Sequence, residues 1–183
     1  MLLHVAHDCA DGLPAQPPSL RVVLASQYGE LSYALSMLRA LAAAEPVSPT
    51  TFSLSVHNAP AGIFSILRED RSASTAVAAG EETLGQGLIE ASCQLEEGGP
   101  PVLFVYGDVP LPPEYLPFAE RPAPERALAV LLEPGAARTA TLEAAPAEGD
   151  APSPGQQADA FFRHLADGRP QRWTGGERMW SWH

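Results

Sequence analysis

Residues 101–109, PVLFVYGDV, are a near-unbroken apolar run that ends in Gly107-Asp108 and follows Gly98-Gly99. A run this short and this rich in Val and aromatics reads as a strand. RVVLAS, 21–26, reads as a second, largely buried strand, and RALAVLLEP, 126–134, as a third. RTATLEA, 138–144, is a weaker candidate that could pair with 126–134 as a hairpin. Between these runs the period changes. Leu31, Leu35, Leu38 and Leu41 or Ala42 recur at helical spacing within 28–45, and Leu84, Leu88, Ala91 and Leu95 share one face of 80–96. Glu81 and Glu82 fall in the expected first turn, where negative charge is favourable, and Gly98-Gly99 stops the helix. This order predicts a layered α/β fold with a mostly parallel, mixed-edge sheet and both helices packed on it. No Gly-x-Gly-x-x-Gly follows 21–26, which disfavours a dinucleotide-binding fold.

TFSLSVHNAPAGIFSI, 51–66, is harder to read. Phe52, Leu54 and Val56 alternate with Ser53, Ser55 and His57, which predicts a short strand. Pro60 fits a first helical turn and Asn58 fits its cap. Ile63, Phe64, Ile66 and Leu67 then predict a buried helix with a close approach at Gly62, or a tightly enclosed loop. SASTAVAA, 72–79, is small and partly β-branched. Along the chain, 1–20 reads as a leader, Pro-rich from 10. Residues 21–145 read as the main domain and 146–157 as a loop or linker. The last stretch, 158–183, reads as a helix closed by Gly168 and a tail holding all three tryptophans. That tail is expected to dock on its own domain or on a partner, because exposing so much aromatic surface is costly.

Charge narrows the function. The net charge is -11 and every basic residue is Arg. Without Lys, Schiff-base chemistry and a phosphate-loop lysine are excluded. The acidic balance argues against nonspecific binding to nucleic acid or anionic membrane. Cys9 and Cys93 form no disulfide framework, and Cys93, in a helical pattern, is expected to be a small buried hydrophobe. The N-terminus lacks a signal-peptide pattern, so the expectation is a cytoplasmic protein. His4, His7, Asp8 and Cys9 are close together, but an unpatterned leader lacks the supporting shell a metal site needs. Neither metal nor cofactor is expected.

Three stretches, SPTTFSLSVHNAPAGIFSI, STAVAAGEETLGQGLIEA and PVLFVYGDVPLP, together resemble the N-terminal domain of β-ketoacyl synthases. The likeness spans roughly residues 20–135. It is greatest to the short, chain-length-factor-like group of aryl-polyene-type gene clusters. The resemblance implies a thiolase-like layered fold, N-terminal half-unit only, and a place in fatty-acid-like, polyketide or polyene biosynthesis. True synthases carry a nucleophilic cysteine in a Thr-Ala-Cys-x-x-Gly-like elbow. Thr75-Ala76-Val77-Ala78-Ala79-Gly80 matches it, with Val77 in the degenerate nucleophile position. The second half, which carries the active-site histidines, has no counterpart of sufficient length here. Condensation needs a thiolate to hold the acyl chain, and neither Cys9 nor Cys93 replaces it.

The resemblance therefore implies a noncatalytic accessory protein, with a ketoacyl synthase-type subunit or a second copy as partner. Acyl carrier protein is a further candidate partner, although two acidic surfaces dock poorly. The alternatives are a noncovalent acyl or acyl-carrier-protein binding module, or a small enzyme using His57 and Asp108. His57 is expected to hold the 53–61 backbone turn as a buried donor. Contact with a ligand and a role as base are its other readings. Asp108 ends a strand, where it binds a loop amide or contacts a ligand. Ser55, His57, Asn58, Gly62 and Gly80 are expected at structural or interface positions. In the resembled fold the 51–66 region lies near the subunit interface and substrate tunnel. His164 and His183 are expected at the surface.

Overall fold

The computed structural model describes residues 1–11, 19–119, 124–136, 139–149 and 151–183. Most of the Pro-rich lead-in, residues 120–123 of the connection to the third expected strand, Arg138, and Asp150 of the linker lie outside the described residues. The elements in order are α1 (Leu2–Ala10), β1 (Arg21–Ala25), α2 (Leu31–Ala42), α3 (Pro49–Leu54), α4 (Ala59–Leu67), β2 (Ser74–Val77) and α5 (Thr83–Glu96). After them come β3 (Val102–Asp108), a 3-10 turn (Leu116–Phe118), β4 (Arg126–Leu132), β5 (Leu142–Pro146), α6 (Gln157–Asp167), β6 (Gln171–Gly175) and β7 (Arg178–Trp182).

The main sheet has the order β2-β1-β3-β4. β1 is parallel to β2 and to β3, and β4 runs antiparallel to β3. This is the expected mostly parallel sheet with a mixed edge, its antiparallel member being β4 beside β3. Successive residues face opposite sides of a strand, and here both sides are covered. Val22, Leu24, Leu103 and Val105 meet Ala6 and Ala10 of α1 and Ala61 and Phe64 of α4. Val23, Ala25, Val102, Phe104 and Tyr106 meet Leu84, Leu88 and Ala91 of α5. That two-sided burial is why β1 and β3 read as continuous apolar runs rather than alternating ones.

A second sheet, β5-β7-β6, covers the far side of α5 and α6. Two glycines of α5 record how tightly this helix is held. A Cβ on Gly87 would lie 2.7 Å from Ala25 Cβ and 2.8 Å from the Phe104 ring. A Cβ on Gly85 would lie 2.5 Å from the Trp180 ring. One helix thus touches the main sheet with one face and the small sheet with the other. α6 bridges the layers as well, with Phe162 edge-on to Tyr106 and Phe161 tilted against Trp182.

Several expectations are corrected. The 1–20 leader contains a helix, α1, packed on the sheet. Phe52–Val56 is not a strand, because Ser48 caps a helix that opens at Pro49, its side chain accepting from Thr51 N–H. Residues 139–144 do not pair with β4. β5 pairs with β7, and Thr141 and His183 exchange backbone hydrogen bonds beyond it. The Trp-rich tail is the β6–β7 hairpin plus His183, docked on its own chain with Trp173, Trp180 and Trp182 fully buried. α2 packs mainly on α3 rather than on the sheet, so only Leu35 of its apolar stripe is buried. On α4 only Phe64 of the four large apolar residues is buried, and a Cβ on Gly62 would meet nothing within 4 Å. Cys93 is exposed, and His164 is buried with Nδ1 2.9 Å from the Arg169 carbonyl oxygen.

Candidate functional site

Because β1, β2 and β3 are parallel, their C-terminal ends meet at one end of the sheet. Ser26, Val77 and Asp108 gather there. Ser26 N–H donates to the Val77 carbonyl at 3.1 Å. Asp108 Oδ1 accepts from the Ser26 hydroxyl at 2.9 Å, from Gln27 N–H at 2.8 Å and from Tyr28 N–H at 3.3 Å. Ser26 Oγ accepts in turn from Gly29 N–H at 2.9 Å. His57 Nε2 lies 2.8 Å from the Ser26 carbonyl oxygen. A carbonyl only accepts, so Nε2 carries the proton.

His57 and Asp108, read separately from the sequence, therefore converge on Ser26. The sequence reading missed Ser26 itself, although a Ser directly after an apolar strand and three residues before a Gly suits a side-chain-closed turn. Gly29 was missed as well. It has φ +55°, and a Cβ there would lie 2.6 Å from His57 Cδ2. The position requires glycine both for its left-handed backbone and for room beside the imidazole. His57 is half-buried, and it ties the α3–α4 corner to the end of β1 instead of holding the 53–61 turn.

Burial pushes the Asp108 carboxyl above its ordinary range, against the opposing hydrogen bonds from Ser26, Tyr28, Tyr106 and Gln27. Burial, followed by the Asp108 charge, drives the Tyr106 phenol far above its ordinary value. Glu30 is also raised by burial, opposed by the N-terminal ammonium and His57. Beside this network lies a cleft of about 240 Å³, with Ser26, Glu30 and Asp108 on its polar side and Leu2, Leu3 and Ile63 on its apolar side. The network is a hydrogen-bonded joint that fixes the first turn after β1.

The other expected positions are dispersed. Val77 is the last residue of β2, paired with Ala25, and is partly buried against the core. Gly80 takes φ +56° in the turn that follows. α5 opens at Thr83 rather than at Gly80, with Glu82 as its N-cap. The Thr83 hydroxyl closes the turn by donating to Gly80 O at 2.6 Å and accepting from Ala79 N–H at 2.9 Å. Ser55 donates to Phe52 O at 2.8 Å at the end of α3. Asn58 holds the N-cap position of α4 but makes no side-chain cap, and it is exposed. Among the described residues, no group of three or more His, Cys, Asp or Glu is placed to hold a metal, and no helix is long and apolar enough to cross a membrane.

A strand–turn–buried-helix unit at the end of a mixed sheet places this fold among the thiolase-like layered folds. The chain belongs to the β-ketoacyl synthase, N-terminal domain family, whose model matches residues 1–183. Among solved structures, it is similar to a chain of the ketosynthase ApeO in complex with its chain length factor ApeC from Xenorhabdus doucetiae. That match has 30% identity and a TM-score of 0.82, covering 99% of this chain and 76% of that one. A chain of the ishigamide ketosynthase/chain length factor shares the fold, with 21% identity and a TM-score of 0.64, over 90% of this chain and 54% of that one. No curated protein matches the sequence.

Proposed function

We infer that this chain is a noncatalytic synthase-like accessory protein of the chain-length-factor kind. It acts with a ketoacyl synthase-type subunit in polyene- or polyketide-like biosynthesis. The observation that carries this reading is the 30% identity, over nearly the whole chain, to a member of a ketosynthase–chain length factor complex. Two further features support it. By the family's Thr-Ala-Cys-x-x-Gly-like pattern the nucleophile's position falls on Val77, which has no nucleophilic atom. Large apolar side chains are exposed on α2, α3 and α4, including Leu41, Phe52 and Ile66 at 62%, 62% and 75%, as expected of a surface that meets another protein.

The geometry argues against the small-enzyme alternative. Asp108 accepts from the Ser26 hydroxyl and from the Gln27 and Tyr28 N–H groups of its own chain, and the Nε2 proton of His57 is committed to Ser26. The 240 Å³ cleft supports noncovalent acyl binding as a second reading. A cytoplasmic location is supported by Cys9 and Cys93, both free thiols.

Co-expression with the ketoacyl synthase-type subunit of the same gene neighbourhood tests the partnership. A stable complex in light scattering is expected, and a chain that stays monomeric beside every such subunit contradicts the reading. Intact-mass analysis after mixing with acyl-carrier protein and malonyl donor tests the chemistry. The wild-type chain is expected to carry no acyl adduct. Val77→Cys is expected to yield no condensation, because its thiol sits in a strand rather than at the N-terminus of α5, where a thiolate is favoured.

A further inference from the structure

A small cavity lies under the N-terminal turn of α5, apart from the cleft beside Asp108. Gly80, Glu81 and Thr83 wall it from one side and Tyr106, Gln156 and Gln157 from the other. Its volume is about 10 Å³, close to the smallest space that holds one water molecule. Gln157 is 1% exposed. Its Oε1 accepts from Gly85 N–H at 2.8 Å, so α6 caps the buried helix across the layer boundary. That bond fixes the orientation of the amide. Its Nε2 is then buried with no hydrogen-bond partner among the described residues.

We propose that this cavity is a built site for a single water molecule held by Gln157 Nε2. Its size excludes a larger ligand. An anion is disfavoured by the Glu81 carboxylate in the wall, and a cation by the positive end of the α5 dipole. A neutral molecule that accepts from the amide and donates to oxygen atoms fits all three constraints, and water is the one small enough. A buried amide donor left unmet is costly, and a water accepting from Nε2 removes that cost. The site gives Gln157 two tasks at one joint. Its oxygen caps α5, and its nitrogen, through water, ties α6 to the β2–α5 turn.

A high-resolution crystal structure of the full wild-type chain tests the site, together with water-selective NOE spectroscopy on the 15N-labelled protein. The expected result is one ordered water oxygen within about 3 Å of Gln157 Nε2, and a cross peak between that amide and a long-lived water. Gln157→Met keeps the length and removes both polar atoms. It is expected to lose the water peak. A wild-type crystal with no water there, a wild-type Nε2 bonded to a protein acceptor, or a water retained unchanged in Q157M overturns the proposal. If Q157M does not fold, the two wild-type measurements decide.

Discussion

The α2–α3 segment and the C-terminal β6–β7 hairpin are both rich in large apolar residues, yet they end in opposite environments. Tyr33, Leu38, Leu41 and Phe52 are all exposed, Leu38 at 53% and Leu41 at 62%. Trp173, Trp180 and Trp182 are at 1% or less. Hydrophobicity does not separate the two regions. What separates them is whether a second layer faces the apolar side. The hairpin lies against α5 and α6, which are themselves anchored on the main sheet. α2 lies mainly against α3, a helix with no buried residue. Two short helices cannot enclose each other, so their apolar faces stay open. An amphipathic pattern shows that a face can be buried, while the neighbouring layer determines whether the chain buries it alone.

The largest expected effect is on the buried side of this contrast. Trp180→Ala removes a fully buried ring that rests on Gly85, and truncations of this kind cost about 3–5 kcal/mol. Urea unfolding followed by far-UV circular dichroism measures it. A loss below about 1 kcal/mol breaks the comparison, because the hairpin would then be an appendage rather than a layer.

Next in size is the joint at the end of the sheet. His57→Ala leaves the Ser26 carbonyl without its donor in a half-buried corner, and the expected loss is about 1–3 kcal/mol. Thermal unfolding combined with assay of the pathway product separates the roles. Unchanged stability with lost product would make His57 a contact for a ligand or partner, and the joint reading would fail.

A smaller effect should appear only as pH changes. The folded-state pKa of Asp108 is raised, so between the ordinary carboxylate pKa and the raised one the folded chain holds a proton that the unfolded chain has lost. Stability from this group is therefore present at low pH and is lost as pH rises through the raised value. Asp108→Asn cannot titrate. The stability difference, wild type minus D108N, is expected to grow as pH falls from 7 toward 4. Chemical denaturation at a series of pH values measures it, and a difference that shrinks toward pH 4 contradicts the assignment.

The smallest effect belongs to the open side. Leu41→Ser on the isolated chain is expected to change stability by no more than about 0.5 kcal/mol, as is usual for surface positions. A loss well above 1 kcal/mol would show that α2 is covered within this chain, and the contrast with the hairpin would disappear.

Much of the scaffold was legible in the residues. Buried parallel strands need continuous apolar runs, and 21–26 and 101–109 have them, while the run at 126–134 forms the half-buried antiparallel edge. Long helices need period and stop signals. Leu84, Leu88, Ala91 and Gly98-Gly99 mark α5, and Gly168, left-handed at φ +68°, closes α6. Other features were decided only by the fold. Six residues, PTTFSL, carry strand and helix periods equally well, and the Ser48 cap with Pro49 at the first helical position selected the helix. The partner of β5 depended on where the chain could find an open edge, and that edge was β7, more than thirty residues away in sequence. Of the candidate site only His57 and Asp108 were legible, as single residues and not as an assembly. Ser26, Gly29, His57 and Asp108 meet because three parallel strands end together, and Gln157 meets Gly85 because α6 folds back over α5. Periodicity and caps are local, so they are written in a short stretch of chain. Edge pairing and the meeting of strand ends depend on closing long loops around a shared core, and only the whole fold supplies that closure.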